Sequence, residues 1–377
     1  MGDNVGAPAL RVAIAGAGMI ARVHLDAARR AGATLVGIAA STPSRSRAAA
    51  VEFGAERAYD TAEELVAAAD VDVVHICTPN VLHRPLAELA IRAGRHVVCE
   101  KPLATTAADA AALAALAAEH GVVAAVPFVY RYHPMAAEAR ARAGEIGPIR
   151  LVHGHYLQDW LSEPGDGNWR VDAAEGGPSR AFADIGSHWC DLVEWVTGHR
   201  IAEVSAAIQT VVARRPAGVS ATFSSEPASD AGSEVSTEDA AQVIFRTDRG
   251  ASGSLVVSQV SPGRKNGLWF EVDGARAGLT FDQETPESLL VGSRSGNTTV
   301  TRDPLLLSPQ AARLCTLPAG HPMGYHDCFA GFVRDVYAAV RGDRTVRFPT
   351  FDDGVRMAKL TEAVLASAQT RSWTKVH

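Results

Sequence analysis

The sequence predicts an α/β domain with a parallel sheet, followed by an α+β domain built on antiparallel strands. Three observations predict it. The chain has 377 residues, and at ~100–200 residues per domain that is room for two or three. Residues 11–126 alternate short β-branched runs with helical stretches, the pattern of parallel strands covered on both faces. After Pro127 the alternation stops, and strand candidates succeed one another with turns between them.

In the first unit, residues 1–127, strand runs fall at Val12–Ala15, Thr34–Ala39, Val71–Cys77, Val97–Glu100 and Val122–Val126. Between them, the helical stretch Ile20–Ala31 stops at Gly32 and Pro85–Ala93 stops at Gly94. The stretch after Thr106 stops at Gly121, and Thr106 with Asp109 makes a capping-box pattern. In the second unit, residues 128–377, Ile149–Tyr156 reads as a strand. A loop rich in Gly, Pro and Asp follows from Ser162 to Gly177. Next comes a helix with Trp189, Leu192, Val193 and Val196 on one face. Strand candidates Ile201–Ala213, Ala240–Thr247, Ala251–Val260, Leu268–Val272 and Leu279–Phe281 then read as an antiparallel meander. Pro216–Thr237 reads as a mobile loop, and helices at Tyr325–Val340 and Asp352–Ala368 close the chain.

The composition excludes several functions. A formal net charge of −6 argues against nucleic-acid or anionic-membrane partners, which favour a basic surplus. The 47% hydrophobic share supports a core, though much of it is Ala and Val. The five cysteines are scattered, with no CxxC pair, so neither a disulfide framework nor a structural zinc site is expected. No apolar run approaches the ~18 residues of a membrane span. Met1–Leu10 lacks a cationic region followed by an apolar stretch, so the expected compartment is the cytoplasm.

Gly16-Ala17-Gly18-Met19-Ile20-Ala21 joins the first strand to the first helix. Gly16 permits the tight turn, Gly18 lets a pyrophosphate approach the backbone, and Ala21 allows close helix–strand packing. The helix N-terminus then faces the phosphates. A bare βα turn would look the same, but four further strand–helix signals follow it. At the end of the second strand, where NAD sites usually carry Asp or Glu, the sequence runs Ala40-Ser41-Thr42-Pro43-Ser44-Arg45. Ser41, Thr42 and Arg45 suit a 2′-phosphate and tilt the reading toward NADP over NAD. The same residues would also serve as helix caps and a solvated arginine.

Glu100-Lys101-Pro102 lies at a strand's C-terminal end, where open parallel sheets bind ligands. Lysine is scarce: Lys101, Lys265, Lys359 and Lys375 are the only four, against 32 arginines. With the glycine turn, Cys77-Thr78-Pro79-Asn80 and His83, Asn168-Trp169-Arg170, the run Asp184-Ile185-Gly186-Ser187-His188-Trp189-Cys190-Asp191, and Pro349-Thr350-Phe351-Asp352-Asp353-Gly354, this motif resembles the Gfo/Idh/MocA family of oxidoreductases. The resemblance covers nearly the whole chain. It implies a Rossmann domain plus a C-terminal α+β domain with an open, mostly antiparallel sheet, whose exposed face makes a homodimer or homotetramer. It also implies cofactor contacts from Gly16, Gly18, Met19, Ile20, Cys77, Thr78, Pro79, Asn80, His83, Glu100, Lys101 and Arg170.

Family members that oxidise polyols use a Lys, an Asp and a His at the positions of Lys101, Asp184 and His188. The residue types suit the chemistry. Oxidising a secondary alcohol moves a hydride to nicotinamide and a proton to a base, and histidine's ordinary pKa near 6.5 suits the base. Lys101 would stabilise a developing alkoxide, and Asp184 would align a hydroxyl. Asp184 and His188, four apart, share a helix face if one helix holds both; alternatively Asp184 is a simple N-cap. Tyr130, Tyr156, Asp159, Trp160, Trp169 and His326 are further substrate candidates. His153 and His155 share a strand face, but no third ligand is evident and no metal is expected. The expected function is an NAD(P)-dependent dehydrogenase acting on a sugar, inositol or related polyol. Two alternatives stay open. One is a glycosidase that oxidises a ring carbon transiently; the other is a sensor without catalysis.

Overall fold

The computed structural model describes residues 8–216 and 232–377. The first unit runs β1 (Arg11–Ala15), α1 (Met19–Arg30), β2 (Thr34–Ala39), α2 (Pro43–Phe53), β3 (Arg57–Ala58), α3 (Ala62–Val66), β4 (Val73–Ile76), α4 (His83–Arg92), β5 (His96–Cys99), α5 (Ala107–His120) and β6 (Ala124–Ala125). Its six strands are all parallel, in the order β3-β2-β1-β4-β5-β6. Val12, Ala13, Ile14, Val73, Val74, Val97 and Val98 are fully buried, because helices cover both faces. The strand order reverses between β1 and β4. The crevice beyond their C-terminal ends is therefore the switch point where such sheets bind ligands. α2, α3 and β3 have weaker sequence signals: β3 is two residues long, and α2 buries only Ser46, Ala49 and Phe53.

The second unit continues with α6 (Pro134–Arg142), β7 (Ile149–Leu157), α7 (Ala173–Gly176), α8 (Ser187–Thr197), β8 (Ile201–Gln209), β9 (Arg214–Pro216), β10 (Gly232–Glu234), β11 (Ala240–Thr247), β12 (Ser252–Ser258), β13 (Gly267–Gly274), β14 (Gly278–Asp282), β15 (Ser288–Ser293), β16 (Gly296–Thr301), α9 (Pro309–Ala312), α10 (Tyr325–Val340), α11 (Phe351–Thr370) and β17 (Thr374–Lys375). Nine of these strands form one sheet, ordered β16-β15-β14-β13-β7-β12-β11-β8-β17. It is mostly antiparallel, but it is not the expected meander. β7 inserts between β13, to which it is antiparallel, and β12, to which it is parallel. An apolar run announces a strand and carries nothing about its partner. The sequence also hides β15 and β16: Gly296–Thr301 is nearly all exposed, so no apolar alternation marks it. The expected strand Ile201–Ala213 stops at Gln209. The flanks of the expected mobile loop, β9 and β10, pair with each other, and residues 217–231 lie outside the described residues.

One face of this sheet packs on α6, α8 and α11 through residues such as Val152, Tyr156, Phe245 and Phe270. The opposite face carries Leu151, Ile244, Val256 and Leu290, all left partly exposed. α10 returns to pack on α1, and α11 on α5. Among the described residues, no helix is long and apolar enough to cross a membrane.

Candidate active site

The two turn glycines are there for different reasons. Gly16 has φ +104°, and a Cβ there would lie 2.4 Å from the Cys77 carbonyl oxygen, so the fold itself requires glycine. Gly18 has φ −79° and ψ −173°, which any residue can adopt, and a Cβ would meet nothing within 4 Å. Only an approaching ligand gives that position a reason to be bare. Gly18 is also the N-cap of α1 and supplies no side-chain cap, and the first turn holds no acid. Its N–H groups are thus available to an anion. Met19 is exposed and Ile20 half-buried at the same turn. The Thr78 hydroxyl is buried with no hydrogen-bond partner. The residues present therefore fit a dinucleotide's pyrophosphate.

Other predicted cofactor residues face inward. His83 is buried, with Nδ1 2.7 Å from the Pro102 carbonyl and Nε2 3.0 Å from that of Thr78. It stands between the 77–80 turn and the 100–102 turn, and as a neutral ring it donates to only one of these two carbonyls at a time. Asn80 donates to the Gly176 carbonyl at 2.8 Å, Cys77 is buried, and Pro79 leads into a 3₁₀ turn at Asn80–Leu82. Glu100 is buried, with one oxygen 3.0 Å from His24 Nε2 and the other accepting the Lys101 backbone N–H at 3.1 Å. At the end of β2, Thr42 caps α2 by accepting the Arg45 N–H. The Arg45 guanidinium donates to the Ser41 hydroxyl at 3.0 Å.

Lys101 Nζ meets Asp184 twice, at 2.5 Å from Oδ1 and 3.2 Å from the backbone carbonyl. Oδ2 accepts from Gln259 at 2.8 Å, and Arg170 Nε stands 3.6 Å from Oδ1. Burial works against ionisation of Asp184, but Lys101 and Arg170 hold its carboxyl well below the usual carboxylate range. The N-cap alternative fails, because Asp184 sits inside a π-helical turn, Phe182–Gly186, that runs directly into α8.

His188 stands on the first turn of α8 and is buried. The rings of Phe128 and Tyr130 meet it edge to face, with centroids at 5.7 and 5.0 Å. Its Nδ1 has no hydrogen-bond partner. Burial first, then the charge of Lys101, pushes its pKa down to about 3, so the ring is neutral.

The substrate candidates separate. Tyr130 and Tyr156 hydroxyls lie 2.5 Å apart; Tyr156 donates to Asn266 Oδ1 at 2.7 Å, and Asn266 Nδ2 donates back to Tyr130 at 3.3 Å. This closed ring of bonds builds the wall beside His188 and occupies both hydroxyls. Trp169 lies under the Arg170 guanidinium, 4.5 Å from its ring centroid. Asp159 is tied to Lys265 at 2.7 Å, and Trp160 donates to Gln158. His326 is exposed and points to Asp26 on α1, at 3.6 Å. Its neighbour Tyr325 faces Tyr130 instead, with centroids 6.1 Å apart. On the open sheet face His153, Glu271 and Asp273 gather their donor atoms within 4.8 Å of one another, while His155 stacks on Trp269.

The sequence reading misses Gln259, Asn266 and Tyr325. For Gln259 a signal exists: it is a polar residue that ends an apolar strand run.

Comparisons with known proteins agree with this architecture. The model for the oxidoreductase family with an NAD-binding Rossmann fold matches residues 10–128, and that for the GFO/IDH/MocA C-terminal domain matches residues 135–280. Levoglucosan dehydrogenase from Pseudarthrobacter phenanthrenivorans is 31% identical over 351 residues, covering 90% of this chain and 88% of that protein. A structure of levoglucosan dehydrogenase with NADH and L-sorbose superposes with TM-score 0.89 at 29% identity, covering 98% of this chain and 100% of the other. An inositol dehydrogenase homologue from Azotobacter vinelandii with NAD+ gives TM-score 0.87 at 29% identity, covering 98% of each chain. The chain belongs to the GFO/IDH/MocA family of NAD-binding oxidoreductases.

Proposed function

We propose that this oxidoreductase acts on a secondary alcohol, or the matching ketone, of a sugar, inositol or related polyol. The observation that carries the reading is the meeting of Lys101 Nζ with Asp184, beside the buried neutral His188, at the end of a strand that flanks the dinucleotide crease. The bound nicotinamide dinucleotide supplies the hydride acceptor or donor. Lys101, Asp184 and His188 do the rest. Lys101 hydrogen-bonds the reacting oxygen and stabilises its developing negative charge. Asp184, fixed by Lys101 and Gln259, orients a substrate hydroxyl. His188 takes the hydroxyl proton in oxidation and returns it in reduction. Arg170, with Nε 3.6 Å from Asp184 Oδ1 and its guanidinium over Trp169, adds a second cation beside that carboxylate. The relatives named for levoglucosan and inositol support the sugar or polyol class.

Within this reading the cofactor is NADP rather than NAD. The support is the absence of a carboxylate at residues 40–45 and the Arg45 guanidinium lying over Ser41. A second copy of the chain packs on the open sheet face to make a dimer or tetramer, and the partly exposed Leu151, Ile244, Val256 and Leu290 support that.

Absorbance at 340 nm tests the reading, screened over inositols, hexoses and pyranosides with both cofactors. Stoichiometric reduction with one of them is expected, and no change with any overturns the reading. A higher kcat/KM with NAD than with NADP overturns the cofactor choice.

A further inference from the structure

We infer that Tyr337, His75 and His24 form a one-way chain of hydrogen-bond donors that ends on the Glu100 carboxylate and positions Lys101. The inference rests on the reading of Lys101 as a site residue. None of the three donors lines the crevice. All are buried, and they come from three elements: Tyr337 from α10, His75 from β4 and His24 from α1.

The contacts are Tyr337 OH to His75 Nε2 at 2.7 Å, His75 Nδ1 to His24 Nδ1 at 2.8 Å, and His24 Nε2 to Glu100 Oε1 at 3.0 Å. Their protons follow from what each atom can do. Burial works against ionisation of Glu100, but the hydrogen bond from His24 and the charge of Lys101 hold its carboxyl below the usual carboxylate range, so Glu100 is an acceptor only. His24 Nε2 must then carry a proton. Burial keeps His75 neutral, with one N–H, and pushes the Tyr337 phenol up, so its proton stays on.

The Nδ1–Nδ1 contact needs one proton between two nitrogens. If His75 supplies it, His24 is neutral and donates to Glu100. His75 Nε2 is then bare and accepts from Tyr337. Every donor has an acceptor and no extra proton is needed. The reverse order needs a doubly protonated His24 and His75 donating to Tyr337. The phenolic proton would then have no acceptor among the described residues, inside a core where an unmade bond is costly.

The far end of the chain reaches the site. Glu100 Oε2 accepts the Lys101 backbone N–H at 3.1 Å and Oε1 accepts from His24 Nε2 at 3.0 Å, so the end of the chain holds the carboxylate's orientation. That carboxylate in turn sets the backbone from which Lys101 reaches Asp184. His24, His75 and Tyr337 are positioning residues, acting through Glu100.

Two-bond ¹H–¹⁵N correlation spectra of the ¹⁵N-histidine-labelled full chain at pH 7 test the assignment, with peaks assigned from His24→Gln and His75→Gln variants. The expected result is His24 as the neutral Nε2–H tautomer and His75 as the neutral Nδ1–H tautomer. Either ring doubly protonated, or either tautomer reversed, overturns the chain.

Kinetics test the positioning. His24→Leu should lower kcat at least about tenfold, as a small misplacement of a reacting group does, with NADPH affinity unchanged by fluorescence titration. His24→Gln, which can accept on one side and donate on the other, should restore most of the turnover. Wild-type kcat in the Leu variant overturns the positioning role. The tautomer test needs neither substrate nor a folded Leu variant. A failure of the sugar or polyol reading is therefore seen separately from a failure of the chain.

Discussion

His188 is already in the state that accepts a proton. Its pKa is pushed down to about 3, so the ring is neutral near pH 7 and oxidation needs no prior loss of a proton, although both directions pass through the protonated ring that burial and Lys101 disfavour. The kcat/KM profile for alcohol oxidation should accordingly lack a limb near pH 6.5. A limb there that vanishes in His188→Asn would contradict this assignment. His188→Ala should cost about 10²–10⁴ in kcat with cofactor affinity unchanged, and near-full turnover would remove it from the mechanism. The two turn glycines make a paired prediction. Gly16→Ala should lower Tm, because its Cβ meets the Cys77 carbonyl. Gly18→Val should leave Tm unchanged and weaken NADPH binding in a fluorescence titration. That Lys101, Asp184 and His188 stand close together was expected from their match to the family's motifs, and Lys101 does reach Asp184 beside His188. His83, Glu100 and Tyr130 were legible as near the site, but not which way they face. Orientation depends on neighbours such as His24 and Asn266, which lie 76 and 136 residues away.

The helix that carries His188 is tied to the sheet by a hydrogen bond. Trp189 donates its indole N–H to the Trp269 carbonyl at 2.8 Å. It reaches it because Gly154 on β7 has no side chain: a Cβ there would lie 2.7 Å from the indole nitrogen and 2.1 Å from the carbonyl oxygen. Gly154→Ala should therefore destabilise the fold by about 1–3 kcal/mol or more, measured by denaturant unfolding, and lower kcat as α8 shifts. An unchanged midpoint would show that the sheet yields freely there. The π-helical turn before α8 adds its own adjustment, bringing both the carbonyl and the carboxylate of Asp184 onto Lys101. At this scale the sequence was informative where periodicity is strong: β2 and α10 fall where their patterns put them. It was silent on pairing, so nothing in it placed β7 between β12 and β13, and silent on the polar strands β15 and β16.

Over the whole molecule, buried histidines tie stability to pH. Burial lowers the pKa of His75, His83, His133 and His188, the last two to about 4 and about 3. The unfolded chain takes up protons at these sites below about pH 6.5, while burial defers that uptake in the folded chain to lower pH. Stability therefore falls as pH drops below 6.5, by up to about 1.4 kcal/mol per pH unit for each such group. Thermal melts between pH 7 and 5 should show Tm falling with acid, and a flat Tm would mean the rings protonate within the fold. Ile244→Asp together with Val256→Asp on the open sheet face should convert the proposed dimer or tetramer to a monomer in light scattering. An unchanged mass would locate the interface elsewhere. The placement of β7 bears also on how the protein is made. Its two partners lie about a hundred residues downstream, at 252–258 and 267–274. During synthesis this strand leaves the ribosome with both edges open and waits while α8, β8 and β11 are added. Closing so long a loop is slow, and an unpaired apolar strand is prone to aggregate in the interval. The centre of the sheet thus cannot close before β12 and β13 have been made, and refolding yield should depend steeply on protein concentration.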